Sequence, residues 1–106
     1  MQNNSEILRD FYEISRIPRC TFETKAMREF LLNFAYEHGF SAVCDEAGNI
    51  YAHRGTPKIC LQAHYDMVCV GDAPNIKIVQ KDGFLSAKNS SLGADDGIGV
   101  AICMAM

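Results

Sequence analysis

The chain has 106 residues, with ten Lys+Arg against thirteen Asp+Glu, a formal charge of −3 at pH 7 and a pI near 5.5. That length allows one domain at most, and the mild acidity argues against a nucleic-acid partner, which would call for a basic stripe. The longest stretch free of charge, residues 97–106, is half the roughly 20 residues a membrane-spanning helix needs, so no membrane partner is expected.

Leu, Ile, Val and Phe make up about a quarter of the residues, above the roughly 20% level below which disorder sets in, so the chain should collapse. The first residues, Met-Gln-Asn-Asn-Ser-Glu, lack the basic start and apolar core of a secretory signal. A cytoplasmic location is the expectation that follows. Five cysteines stand at 20, 44, 60, 69 and 103 with no C-x-x-C pair. Neither a disulfide framework nor a paired-cysteine zinc site has that spacing, so five reduced thiols are expected.

In chain order, Ile7, Leu8, Phe11, Ile14 and Ile17 follow helical spacing. They predict a helix over residues 5–17 with Ser5 as N-cap and Pro18 as its stop. After a short linker, Met27, Phe30, Leu31, Phe34 and Ala35 form one apolar stripe on a helix over residues 23–38, closed by Gly39. His38, in the last turn, reads as a partner for the helix dipole rather than a ligand.

The period then changes. Strands are predicted over 40–44 and 49–54 around a turn at 46–49, and a third over 58–66. In that third strand Ile59, Leu61, Ala63 and Tyr65 point one way, and Cys60, Gln62, His64 and Asp66 the other. Short strands over 76–80 and 84–88 flank Lys81-Asp82-Gly83, a hairpin signal. A polar loop at 89–93 leads to an apolar helix that starts at Asp95 or Asp96. This helix ends without glycine, proline or a basic turn, so the chain is expected to be the N-terminal piece of a longer protein.

Two constellations can carry chemistry. His64 and Asp66 share one face of a strand end. Alone, H-x-D is most simply a surface pair. As a site, it permits two arrangements: both residues bind metal, or His64 binds while Asp66 holds its other ring nitrogen. The second constellation, Ser91-Leu92-Gly93-Ala94-Asp95-Asp96-Gly97-Ile98-Gly99, puts two carboxylates where a loop enters a helix. The bland reading is an acidic cap, favoured by the positive end of the helix. A dinucleotide loop fails on two grounds. The glycines run G-x-x-x-G-x-G, and two carboxylates would repel a pyrophosphate. Together the constellations offer one imidazole and up to three carboxylates, a set that suits zinc, manganese or cobalt in a hydrolytic site. An aspartate can bridge two such metals.

Leu61-Gln62-Ala63-His64-Tyr65-Asp66-Met67-Val68-Cys69, then Asp82-Gly83-Phe84-Leu85-Ser86-Ala87-Lys88, then Leu92-Gly93-Ala94-Asp95-Asp96-Gly97-Ile98-Gly99 resemble the N-terminal part of the bacterial aminoacyl-histidine dipeptidases. These are cytosolic di-zinc metallopeptidases related to tripeptidase T and carnosinase, and the likeness covers nearly the whole chain. The resemblance implies an α/β fold: the N-terminal part of a zinc-peptidase-type three-layer sandwich, with two opening helices, a mixed sheet containing the H-x-D strand, and a protruding hairpin. It implies that His64 is a zinc ligand, that Asp66 is catalytic and sits close behind the metals, and that Asp95 bridges two zincs. It further implies a cis Asp95–Asp96 peptide wherever metal or the complete fold is present.

Two departures stand out, the second of them mild. Ala63 replaces a common glycine, and Asp96 a common asparagine. A third is larger, because the general-base glutamate, the remaining ligands and the inserted dimerisation or lid domain would all fall after Met106. The expectation is therefore a partial catalytic domain over residues 1–106. Its parent would hydrolyse Xaa-His dipeptides with two zincs per subunit, take small peptides as substrate and form a homo-oligomer. The isolated chain would be inactive. The competing expectation is a non-enzymatic globular or self-associating fragment with weak or no metal binding, because two ligands do not close a zinc site.

Overall fold

A computed structural model describes residues 4–106. The elements are α1 (Asn4–Ser15), α2 (Lys25–Glu37), β1 (Ser41–Cys44), β2 (Ile50–His53), β3 (Ile78–Lys81), β4 (Phe84–Ala87) and α3 (Ala94–Ala105). Ser5 falls inside the first turn of α1 rather than before it, so it does not serve as the N-cap expected for it.

The core lies where α1 crosses α3. Phe11 and Ile14 of α1, Met27 of α2, and Val100 and Ala101 of α3 form one buried cluster. Phe11, Ile14 and Met27 are wholly removed from solvent, and each such side chain contributes about 1.5–3 kcal/mol by leaving water. Phe30 and Leu31 of the α2 stripe pack against this cluster from one side, and Ala63 and Tyr65 from another.

Helix α2 ends as its glycine requires. Gly39 turns the chain at φ +81°; its amide donates to Tyr36 O, and the Phe40 amide donates to Ala35 O. This pair of bonds satisfies carbonyls that a helix end leaves free. His38 sits at the same end with Nδ1 2.8 Å from Phe34 O, in keeping with a role at the helix terminus.

The α/β class and the hairpin stand, but the sheet differs from the one expected. Among the described residues the strands form two separate two-stranded antiparallel sheets, β1–β2 and β3–β4. The first pairs Ser41 with His53 through Cys44 with Ile50. The second pairs Ile78 with Ala87 through Lys81 with Phe84. Its two-residue turn, Asp82–Gly83, has positive φ at both positions, the geometry whose twist matches the flanking strands.

The strand expected over residues 58–66 is not part of either sheet. A strand exists by hydrogen bonding to a neighbour about 4.8 Å away. The ladders described pair β1 with β2 and β3 with β4, which leaves this segment extended but unladdered. Its alternation survives where it touches the core: Ala63 and Tyr65 pack inward, while His64 faces out. Ile59 and Leu61, earlier in the segment, stay exposed.

The expectation of five reduced thiols is also corrected. Cys20 and Cys69 are joined in a disulfide across 49 residues, and Cys44, Cys60 and Cys103 are free. The pair meets because Cys20 bridges to Met67 in parallel, with Met67 N donating to Arg19 O and Thr21 N donating to Met67 O. Sequence spacing carries no trace of this bridge, since it joins two irregular segments.

Candidate metal centre

The geometry begins at the start of α3. Gly93 turns at φ +82°, and Asp95 and Asp96 keep non-helical backbone (φ/ψ −94/103° and −114/35°) before the regular helix sets in. The first helical bond runs from Gly97 N to Gly93 O, 2.9 Å. The two carboxylates thus stand at the mouth of the helix rather than on its side. The Asp95–Asp96 peptide is cis, the form the resemblance implied for the metal-bound or complete fold.

The two acids face different ways. Asp96 turns back over Gly99, whose missing side chain makes the room, and Asp96 Oδ2 accepts a long 3.4 Å bond from the His64 amide. Asp95 projects outward, and its side chain is 98% exposed.

His64 lies between two carboxylates from distant parts of the chain. Its Nε2 is 3.1 Å from Asp95 Oδ1, across 31 residues. Its Nδ1 is 3.1 Å from Asp66 Oδ1 and 3.1 Å from Asp66 O. Asp66 thus lies on the Nδ1 side of the ring and Asp95 on its Nε2 side.

Electrostatics follow. Partial burial alone would lower the His64 imidazole, but hydrogen bonding to Asp95 and Asp66 outweighs it and holds the pKa above its ordinary value. The Asp66 carboxyl is held below its ordinary value, chiefly by the Thr21 hydroxyl, with partial burial opposing and His64 adding to the drop. Thr21 Oγ1 donates to Asp66 Oδ2 at 2.6 Å. So His64, Asp66 and Asp95, all expected from sequence, come together. Thr21 and the buried Arg19 were missed. Both lie in the linker before α2, and nothing in its sequence singles them out.

The donor set can be tested against a metal. An imidazole nitrogen and a carboxylate oxygen, each about 2.0–2.2 Å from a tetrahedral zinc, lie roughly 3.3 Å apart. The 3.1 Å between His64 Nε2 and Asp95 Oδ1 fits that edge. Among the described residues, no group of three or more His, Cys, Asp or Glu gathers closely enough to hold a metal ion. The pair fits as part of a site.

No family model matches the chain. It is 29% identical over 111 aligned positions to the cytosol non-specific dipeptidase of Escherichia coli K12, an alignment covering 91% of this chain and 23% of that protein. A tripeptidase from Staphylococcus aureus superposes with a TM-score of 0.88 at 28% identity, covering 99% of this chain and 31% of that one. The aminoacylhistidine dipeptidase of Vibrio alginolyticus superposes with a TM-score of 0.84 at 29% identity, covering 97% of this chain and 24% of that one. Among the described residues no helix is long and apolar enough to cross a membrane. In sequence and in fold, then, the chain is similar along nearly its whole length to dipeptidases and tripeptidases, spanning about a quarter to a third of theirs.

Proposed function

We propose that this chain carries part of the metal centre of a zinc-dependent peptidase that cleaves dipeptides of the Xaa-His type. The observation that carries the reading is the approach of His64 Nε2 to Asp95 Oδ1, 3.1 Å apart although 31 residues separate them. His64 and Asp95 would hold the metal, with Asp95 free to share its second oxygen with another ion. Zinc when bound there supplies Lewis acidity toward a peptide carbonyl and toward water; manganese or cobalt could take its place.

The chain's own residues do the rest of the work available here. Asp66, accepting from Nδ1, would leave the Nε2 lone pair free for a metal, the arrangement that also raises ligand basicity. Thr21 keeps the Asp66 carboxylate ionised and fixes its second oxygen. Residues 1–106 would form part of a cytoplasmic catalytic domain that takes small peptides and assembles as a homo-oligomer.

The test is an assay of the complete gene product containing this chain, with Xaa-His dipeptides and zinc. Hydrolysis that depends on zinc and disappears in His64→Ala is the expected result. Undiminished activity in that variant overturns the assignment.

A second reading concerns the 106 residues by themselves. Two ligand side chains do not complete the four-ligand environment zinc prefers, and the described residues supply no third within reach. On that ligand count the isolated chain is a non-enzymatic module without tight zinc binding. Isothermal titration with zinc decides it, since sub-micromolar affinity in a monomer defeats this reading.

A further inference from the structure

The side chain of Arg19 is fully buried, feels the charge of the Asp66 carboxylate, and directs its hydrogen bonds to carbonyl oxygens. Its Nη1 donates to Tyr65 O at 3.3 Å and its Nη2 to Gly93 O at 2.9 Å. Nε, also buried, has no hydrogen-bond partner. A buried guanidinium whose hydrogen bonds run to carbonyl oxygens is expensive to maintain even with a carboxylate nearby, so the two carbonyls it joins matter. Tyr65 is the residue between His64 and Asp66. Gly93 stands two residues before Asp95.

The surroundings are shaped around this one side chain. A β-carbon at Gly93 would come within 2.6 Å of Arg19 Nη2, and one at Gly97 within 2.7 Å. Two glycines of the acidic motif therefore give the guanidinium its room. The backbone of Arg19 adds a third tie, since its carbonyl accepts from Met67 N at 2.8 Å. One residue thus grips the far side of both segments whose near sides carry the candidate ligands.

We propose that Arg19 is a positioning residue: its guanidinium, bridging Tyr65 O and Gly93 O, sets the separation between His64 and Asp95. The inference rests on the reading of those two residues as metal ligands. It adds that a charged side chain in contact with neither determines whether they are close enough to share an ion. The planar fork suits the task because its two terminal nitrogens diverge at a fixed angle, whereas a lysine ammonium reaches one carbonyl and leaves the other without a donor.

The test uses cobalt(II), whose visible bands report ligand geometry, on the complete gene product as wild type, Arg19→Lys and Arg19→Met. Crystal structures of metal-free wild type and Arg19→Lys accompany the titrations. Cobalt affinity is expected to fall about 10- to 100-fold in Arg19→Lys, the range for losing an outer-shell partner, and at least as far in Arg19→Met. The bands should change shape at saturation, and His64 and Asp95 should separate beyond hydrogen-bonding distance in the Lys variant. Wild-type affinity, bands and spacing in Arg19→Lys overturn the proposal. So does an affinity loss that tracks melting temperature while the bands at saturation stay unchanged. If Arg19→Met does not fold, Arg19→Lys decides alone. If the wild type binds no cobalt, the metal reading fails, and the His64–Asp95 spacing in the two crystal structures still decides the role of Arg19.

Discussion

Thr21 Oγ1 donates a 2.6 Å hydrogen bond to Asp66 Oδ2, joining residues 45 positions apart. The same hydroxyl lies 3.2 Å from Met67 O, so the linker before α2 is fastened beside the H-x-D motif. Replacing Thr21 by Val keeps the shape and removes the donor. The Asp66 carboxyl should then titrate closer to its ordinary value, because the hydroxyl is the main cause of its depression. The loss in stability should be about 1 kcal/mol or less, since the bond is exposed to solvent. Carbon-detected NMR titration of Asp66 checks the first expectation and urea denaturation the second; an unmoved Asp66 titration removes Thr21 from the site.

This contact also marks what the sequence could not reveal. Helices α1 and α2, the two hairpins and the alternation around His64 were legible because each rests on periodicity or turn chemistry within a few residues. Gly39, Asp82 and Gly83 announce their turns by type alone. Three features were not legible, namely the Thr21–Asp66 bond, the Cys20–Cys69 bridge and the burial of Arg19. All three bring the 18–22 linker against residues 65–69 and 93, and no local pattern encodes an approach between two irregular segments. The segment at 58–66 misled for a related reason. Alternating apolar residues fit a pleated strand, but a ladder also needs a neighbouring backbone, which alternation does not report.

Metal affinity should fall steeply in mild acid. A metal at His64 Nε2 must displace a proton, and the flanking carboxylates hold the imidazole pKa above its ordinary value. Below that raised pKa, affinity should drop about tenfold per pH unit, as one proton competes with one ion. The drop therefore begins at a higher pH than an unperturbed histidine would give. In the metal-free chain the sign is opposite: the raised pKa adds stability below the unfolded-state value and loses it as pH rises through the folded one. Asp66→Asn removes one of the carboxylates and should move the onset downward. Zinc competition against a chromophoric chelator across the neutral range, in the complete gene product, measures both; an onset identical in wild type and Asp66→Asn contradicts the expectation.

The β1–β2 hairpin should loosen in acid for a separate reason. Asp45 Oδ1 accepts from the amides of Ala47 and Asn49 at 3.0 and 2.9 Å, and Oδ2 accepts from Asn49 Nδ2 at 3.0 Å. These bonds, led by the Asn49 side chain, hold the Asp45 carboxyl below its ordinary value. A depressed folded-state pKa stabilises the fold above the unfolded-state value, and the benefit is lost as pH falls through the folded one. The Ala47 and Asn49 amide resonances should shift together in that acid window. Asp45→Asn should abolish the shared transition while leaving the rest of the acid profile intact.

Two glycines separate packing from backbone conformation. Gly97 has ordinary helical φ but no room: a β-carbon there would meet Arg19 Nη2 at 2.7 Å and Phe11 Cε1 at 3.0 Å. Arg19 cannot retreat without losing Gly93 O, and Phe11 is fixed in the core. Overpacking of this kind destabilises by about 1–3 kcal/mol, against the roughly 1 kcal/mol that alanine returns in helix propensity. Gly97→Ala should therefore lose up to about 2 kcal/mol. Gly83 is the reverse case, with open space around it and φ +82°. Gly83→Ala should lose about 1–2 kcal/mol through the left-handed backbone alone. The two ranges overlap in urea melts, so amide chemical shifts distinguish them. Gly97→Ala should disturb Tyr65, Asp66 and Asp95, whereas Gly83→Ala should leave them untouched and move only the β3–β4 hairpin. Equal disturbance of the His64 region by both variants would mean that the hairpin and the acidic motif are coupled by contacts other than those around Arg19.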